Sequence, residues 1–221
     1  MRLVTLLTRR YGGAQWDAVV RGSGAVALAA IPLVLAYPSA AGLVGFVLVT
    51  IWFHGPISPF LPASYEPVLL LFGRLYPPLL VATIGTAANL YIEVVNYHLY
   101  RGVLRIEALG RFRRSVEAGR LMTMFERRPF FAIWFGTVSP IPDWMGRILA
   151  AVADYPVGRY LLAHGLGRFP RFLFFAAVGM YLRLPVHAVL AVTLSSILVT
   201  GAIAAARFLL RRSEPAPTTS L

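Results

Sequence analysis

Residues 55–62 read GPISPFLP and residues 136–142 read GTVSPIP, so an apolar chain writes Gly-x-x-Ser-Pro twice. Proline lacks the amide donor that a helix interior needs and clashes with the preceding turn, so neither stretch suits the middle of an ordinary membrane helix. Around the first, the apolar run 56–75 holds Pro56, Pro59, Pro62 and Pro67. A helical arm of about nine residues, at about 1.5 Å per residue, reaches near the midplane of a hydrocarbon core about 30 Å thick. The prolines therefore predict re-entrant hairpins at 56–75 and 129–154. Irregular backbone at such depth needs protein around it to satisfy its polar groups.

The rest of the chain sets the same scene. Of 221 residues, 58% are hydrophobic and 14% charged, and the mean hydropathy is +0.69, which describes an integral membrane protein. The net charge of +12 comes from arginines with no lysine. They cluster between apolar stretches rather than over a polar surface, which fits orientation in a membrane and excludes a nucleic-acid partner. Cysteine is absent, so there are no disulfides or thiolate metal sites.

Apolar stretches at 24–53, 77–100, 156–182 and 185–208 predict about four transmembrane helices around the two hairpins. The run 24–53, behind Arg2, Arg9, Arg10 and Arg21, is too long for a signal peptide's apolar core and reads as an uncleaved, kinked helix, with one kinked helix or two segments left open. Three arginine-rich regions mark the cytoplasmic side: the segment 1–23, the stretch 101–128, and Arg207, Arg211 and Arg212 before a disordered tail at 213–221. With all three inside, each intervening block crosses an even number of times, and both termini are cytoplasmic. The first hairpin then opens outside and the second inside. Leu109, Phe112 and Val116, with a Glu107–Arg111 pair, make 101–128 an amphipathic segment on the inner leaflet.

The likeness of the two units extends past the Ser-Pro pair. Gly55 is followed by Tyr76-Pro77 and Gly85, Gly136 by Tyr155-Pro156 and Gly165, with nearly equal spacing. One crossing separates them, so they form an inverted repeat, the arrangement that brings broken helices together around a site.

PASYEPVLLLFG, residues 62–73, resembles the Pro-rich, acid-containing signature of the DedA family, also called the SNARE-associated Golgi protein or VTT-domain family. SPIPDWMGRILAAVADYPVGRYLLAHGLG, residues 139–167, is similar to that family's second hairpin. Glu66 stands seven residues before Gly73, as the signature requires, while Pro62 lies four rather than two residues before it. The resemblance covers about 50–182 and implies lipid handling: translocation of undecaprenyl phosphate in bacteria, or phospholipid scrambling.

The residues suit that work. Ionisable groups in hydrocarbon are costly and mark function. Glu66 lies in the first hairpin, and Asp143 and Arg147 in the second, four apart and able to pair on one helix face. Arginine fits a lipid phosphate through two parallel hydrogen bonds, and a facing carboxylate supplies a proton site. These three are the first candidates for a headgroup or proton site, with Glu93 beside them. Asn89, Glu93, Asn96 and Tyr97 share one face of the next helix, which suits a headgroup path and equally suits hydrogen bonding between helices. Arg168 and Arg171 are further candidates, either as headgroup contacts or as side chains snorkelling to the surface.

Enzyme readings lack support. His54, His98, His164 and His187 have no metal-ligand spacing, there is no Gly-x-Ser-x-Gly or phosphate loop, and Ser58 and Ser139 precede prolines as turn residues do. The expectation is an all-α polytopic membrane protein with no cofactor and no metal, whose partners are membrane lipids, in a bacterial inner membrane. A non-transporting scaffold for membrane biogenesis is the alternative. The oligomeric state, including a homo-oligomer, stays open.

Overall fold

The computed structural model describes residues 13–55, 65–104, 110–117, 119–139 and 144–182, with isolated positions from 185 to 195. Among the described residues the chain is helical throughout.

The helices are α1 (Gly13–Ala36), α2 (Ala41–Phe53), α3 (Glu66–Leu75), α4 (Pro78–Leu104), α5 (Gly110–Glu117), α6 (Arg120–Arg127), α7 (Pro129–Val138), α8 (Trp144–Val152) and α9 (Val157–Leu182). Prolines set most boundaries. Tyr37, at φ −135° and ψ 84°, lies outside the helical region that a following proline disfavours, and Pro38–Ala40 form a 3-10 turn. Tyr76, before Pro77, is extended at φ −137° and ψ 157°. Ser139, before Pro140, leaves α7 at φ −77° and ψ 163°.

The break at Pro38 divides the stretch 24–53 into two helical segments rather than one kinked helix. α1 separates from the 13-residue α2, which at about 20 Å is too short to cross a bilayer. α2 is thus a short helix that precedes the first Ser-Pro motif. The segment 101–128 also differs from the expectation of one amphipathic segment. α4 runs on to Leu104, and two eight-residue helices, α5 and α6, follow, parted by Gly119 in an extended conformation. Positions 56–64, 105–109, 140–143 and the stretches at both chain ends lie outside the described residues, and with them the Glu107–Arg111 pair, Leu109, most of the apolar stretch 185–208 and the tail.

Among the described residues, two helices are long and apolar enough to cross a membrane, within Asp17–Ala36 and at Pro78–Leu104. α9, with 26 residues, has the length, at about 39 Å, but carries Arg159, Arg168 and Arg171. Large apolar side chains stand exposed over much of the outside, among them Leu28, Leu35, Phe131, Phe174 and Tyr181.

The packing repeats as the sequence does. α2–α3–α4 and α7–α8–α9 are equivalent runs of short arm, short arm and long helix. α2 packs on α4 of its own unit and α7 on α9 of its own, whereas α3 packs on α9 and α8 on α4, and the two long helices pack on each other. Each unit thus lends its second arm to the other's long helix. The α3–α9 crossing is in backbone contact: a Cβ on Gly73 would meet the Ala176 carbonyl oxygen at 2.1 Å, and one on Gly179 the Leu70 carbonyl oxygen at 2.1 Å. Small residues permit such approaches between membrane helices.

Candidate functional site

Polar residues of α4 at 86, 89, 93 and 96 fall on one helix face, and those of α9 at 160, 164, 168 and 171 fall on another. Antiparallel packing turns the two faces toward each other. Tyr97 meets Tyr160, ring centroids 5.3 Å apart; Asn89 Oδ1 is 3.1 Å from His164 Nε2; and Gly85 lies against Phe172. Apolar clusters close both ends of this polar layer, one around Tyr160, Phe125 and Ile133, the other around Phe46, Tyr65 and Phe172.

Glu93 is its centre and is fully buried. Arg147, on α8, places Nη2 2.6 Å from Glu93 Oε1. Tyr160 donates its hydroxyl proton to Glu93 Oε2 at 2.6 Å, and Asn96 Nδ2 approaches Oε1 at 3.5 Å. His164 Nε2 stands 3.7 Å from Oε1. The same nitrogen lies 3.4 Å from Arg168 Nε. A protonated Nε2 donates to Asn89, and a bare one accepts from Arg168, so the imidazole tautomer selects between them.

A second charged contact joins both units. Arg171, half-buried on α9, pairs through Nη2 with Glu66, the first residue of α3. Its Nη1 donates to the Ser139 carbonyl at 2.7 Å and lies 3.4 Å from the Thr137 carbonyl. One guanidinium thus holds the start of α3 and the end of α7, immediately before Pro140 of the second Ser-Pro motif. At the first motif, Asn96 Nδ2 donates to the His54 carbonyl at 2.8 Å, next to Gly55. In both units a polar side chain of the long helix takes carbonyls at the end of the first arm, which helix geometry leaves unsatisfied.

A groove of about 470 Å³ runs between α6, α7 and α8. Leu121, Met124, Phe131, Phe135 and Leu149 line its walls, and Arg147, Tyr160 and His164 its depth. The groove thus has mostly apolar walls and reaches the paired Arg147 at its depth.

The family model of the VTT domain matches residues 59–181, more than half of the chain and the span that holds both short-arm pairs and both charged contacts. The chain belongs to the VTT-domain family, that of the DedA and SNARE-associated Golgi proteins. It is therefore a membrane protein, in keeping with its apolar helices and exposed apolar side chains. No curated protein and no solved structure matches it.

Within this VTT domain, Glu66, Glu93, Arg147, Arg168, Arg171 and Asn89 all fall in the two polar contacts, and Asp143 lies outside the described residues. Some of their partners lie on other helices. Arg147 reaches across to Glu93 on α4. Arg168 is buried and Arg171 bridges α3 and α7, so neither snorkels to the surface. Tyr97 turns from the carboxylate and donates to the Tyr155 carbonyl at 2.5 Å. Sequence reasoning missed Tyr160 and His164; their spacing of four from each other and from Arg168 was the signal. No cluster of metal-ligating residues occurs among the described residues.

Proposed function

We propose that this VTT-domain protein moves lipids between membrane leaflets, taking the phosphate headgroup of a phospholipid or polyprenyl phosphate past the contact of two re-entrant hairpins. The observation that supports this reading best is the groove whose apolar walls end at Arg147, because it matches both parts of a lipid at once. In this reading α2–α3 and α7–α8 are the hairpins, each entering and leaving by one face, and α1, α4, α9 and the stretch 185–208 are the crossings. The arginine-rich flanks put both termini in the cytoplasm of a bacterial inner membrane. Arg147 takes the headgroup phosphate in place of Glu93, and Glu66 and Glu93 are the proton-accepting groups. The activity is transport rather than bond cleavage and uses no cofactor.

The test is leaflet exchange of fluorescent phospholipid and polyprenyl phosphate in liposomes, comparing the parent protein with the double variant Glu93→Gln, Arg147→Gln. The double variant keeps hydrogen-bonding groups at both positions while removing the cation. It is expected to lose exchange; exchange at the parental rate sinks the assignment of Arg147. A folded parent protein that exchanges neither lipid, with a pH gradient supplied, leaves the reading as a membrane scaffold.

A further inference from the structure

The two ion pairs are counterparts in the repeat with their signs exchanged. Glu66 precedes Tyr76 by ten residues and Arg147 precedes Tyr155 by eight; Glu93 follows Pro77 by sixteen and Arg171 follows Pro156 by fifteen. Each pair joins a hairpin's second arm to the other unit's long helix. In one the acid rides on the arm, in the other the base.

The contacts of α4 with α9 give the distance between them. Glu93 is level with His164, and Gly85 with Phe172, so Arg171 is level with Thr86. Seven residues from Thr86 to Glu93 correspond to about 10 Å along the helix. Arg168 lies between. On the facing helix, buried Thr86 Oγ1 and Asn89 Nδ2 have no hydrogen-bond partner among the described residues. Buried donors without partners are costly, and here they border the interval between the two arginines.

Resting on the lipid-translocation reading, we propose that Arg171, with Glu66 and the Ser139 carbonyl, is a second phosphate-headgroup site, and that Asn89 and Thr86 hydrogen-bond the phosphate between it and Arg147. A phosphate oxygen replaces the Glu66 carboxylate at Nη2 while Nη1 keeps its carbonyl bonds, so Arg171 need not change conformation. Glu66 and Glu93 occupy their arginines when no headgroup is there, so no bare cation stands in the hydrocarbon layer. Thr137 connects the sites: it lines the groove that ends at Arg147, and its carbonyl faces Arg171.

The experiment is photo-crosslinking with a phosphatidic acid analogue whose diazirine sits beside the glycerol, in phosphatidylcholine vesicles holding the full-length protein, followed by peptide mapping. Two sets of adducts are expected, one on α6–α8 along the groove and one on α3 and the end of α7. Arg171→Gln lowers only the second set, by about tenfold, the loss of one charge-assisted contact. Glu66→Gln removes the competing carboxylate and raises the second set several-fold, whereas a purely structural ion pair gives no gain. Adducts confined to the groove, or a second set indifferent to both substitutions, overturn the proposal. Should Arg171→Gln not fold, the presence or absence of a gain in Glu66→Gln decides alone. A second set abolished by excess inorganic phosphate assigns the site to a free anion and overturns the lipid assignment. Exchange with groove adducts only sinks this site and leaves translocation standing; both sets without exchange sinks translocation and leaves the site.

Discussion

Glu93 and Arg147 are 2.6 Å apart, both are buried, and they come from different halves of the domain, so the pair fastens the short α8 to the long α4. Arg147→Ala leaves the Glu93 carboxylate without its cation. It is expected to destabilise the protein by about 3–5 kcal/mol, the usual cost of removing one partner of a buried pair. The double variant Glu93→Leu, Arg147→Met is expected to cost less than this single change. Chemical unfolding in detergent measures both, and equal losses would show that the pair adds no coupling.

Filling the groove separates transport from folding. A Cβ built on Gly136 finds no atom within 4 Å, although this residue lines the groove. Gly136→Leu is expected to slow leaflet exchange about tenfold or more while holding or raising the unfolding temperature, since glycine inside a helix costs about 0.5–1 kcal/mol relative to alanine. Unchanged exchange would remove the groove from the lipid path.

The α3–α9 crossing has no such room. Gly73→Val forces the backbones apart and is expected to cost at least about 1–3 kcal/mol, the range for overpacking. Gly179→Val strains the same crossing, so the double variant should cost less than the sum of the two. Thermal unfolding of the three variants checks this.

Tyr65 tests the apolar end of the layer. The Thr50 hydroxyl donates to the Phe46 carbonyl at 2.7 Å and receives the Tyr65 hydroxyl at 2.5 Å. Tyr65→Phe removes one donor and keeps the ring, at an expected cost of about 1 kcal/mol. Tyr65→Ala also empties the space among Phe53, His54 and Phe172 and is expected to cost about 3–5 kcal/mol. Similar losses in the two would locate the stabilisation in the hydroxyl.

Asp154 marks where α8 turns back toward α9. Its φ of 48° is left-handed, a region that Asp and Asn tolerate better than other side chains, and its carboxylate pairs with Arg101 at 2.6 Å in a half-exposed position. Asp154→Asn is therefore expected to cost less than about 1 kcal/mol. Asp154→Val adds backbone strain of about 1–2 kcal/mol; unfolding midpoints should rank them in that order.

The helix boundaries were legible because proline acts locally: Pro67, Pro77 and Pro156 mark boundaries whatever the rest of the chain does. So were the charged candidates, since an acid or base in an apolar run is conspicuous. What stayed hidden depends on register between helices. The i,i+4 rule pointed from Arg147 to Asp143, which lies outside the described residues, and it gave no hint of Glu93, some fifty positions away and brought close by the packing of α8 on α4. Tyr160 and His164 carry no cost signal of their own, so their part emerged only once α9 faced α4. Pro38 was legible as a kink, but whether it bends the run or divides it depends on the packing of α1 and α2.

The exchange of second arms between units has a mechanical consequence. Because α3 touches the α9 backbone directly at Gly73 and Gly179, these two helices must shift as one piece, and that piece mixes the first half of the sequence with the second. Severing the chain between residues 104 and 110 should therefore yield fragments that cannot fold apart, yet reassemble when made together. Each would carry the strut that braces the other.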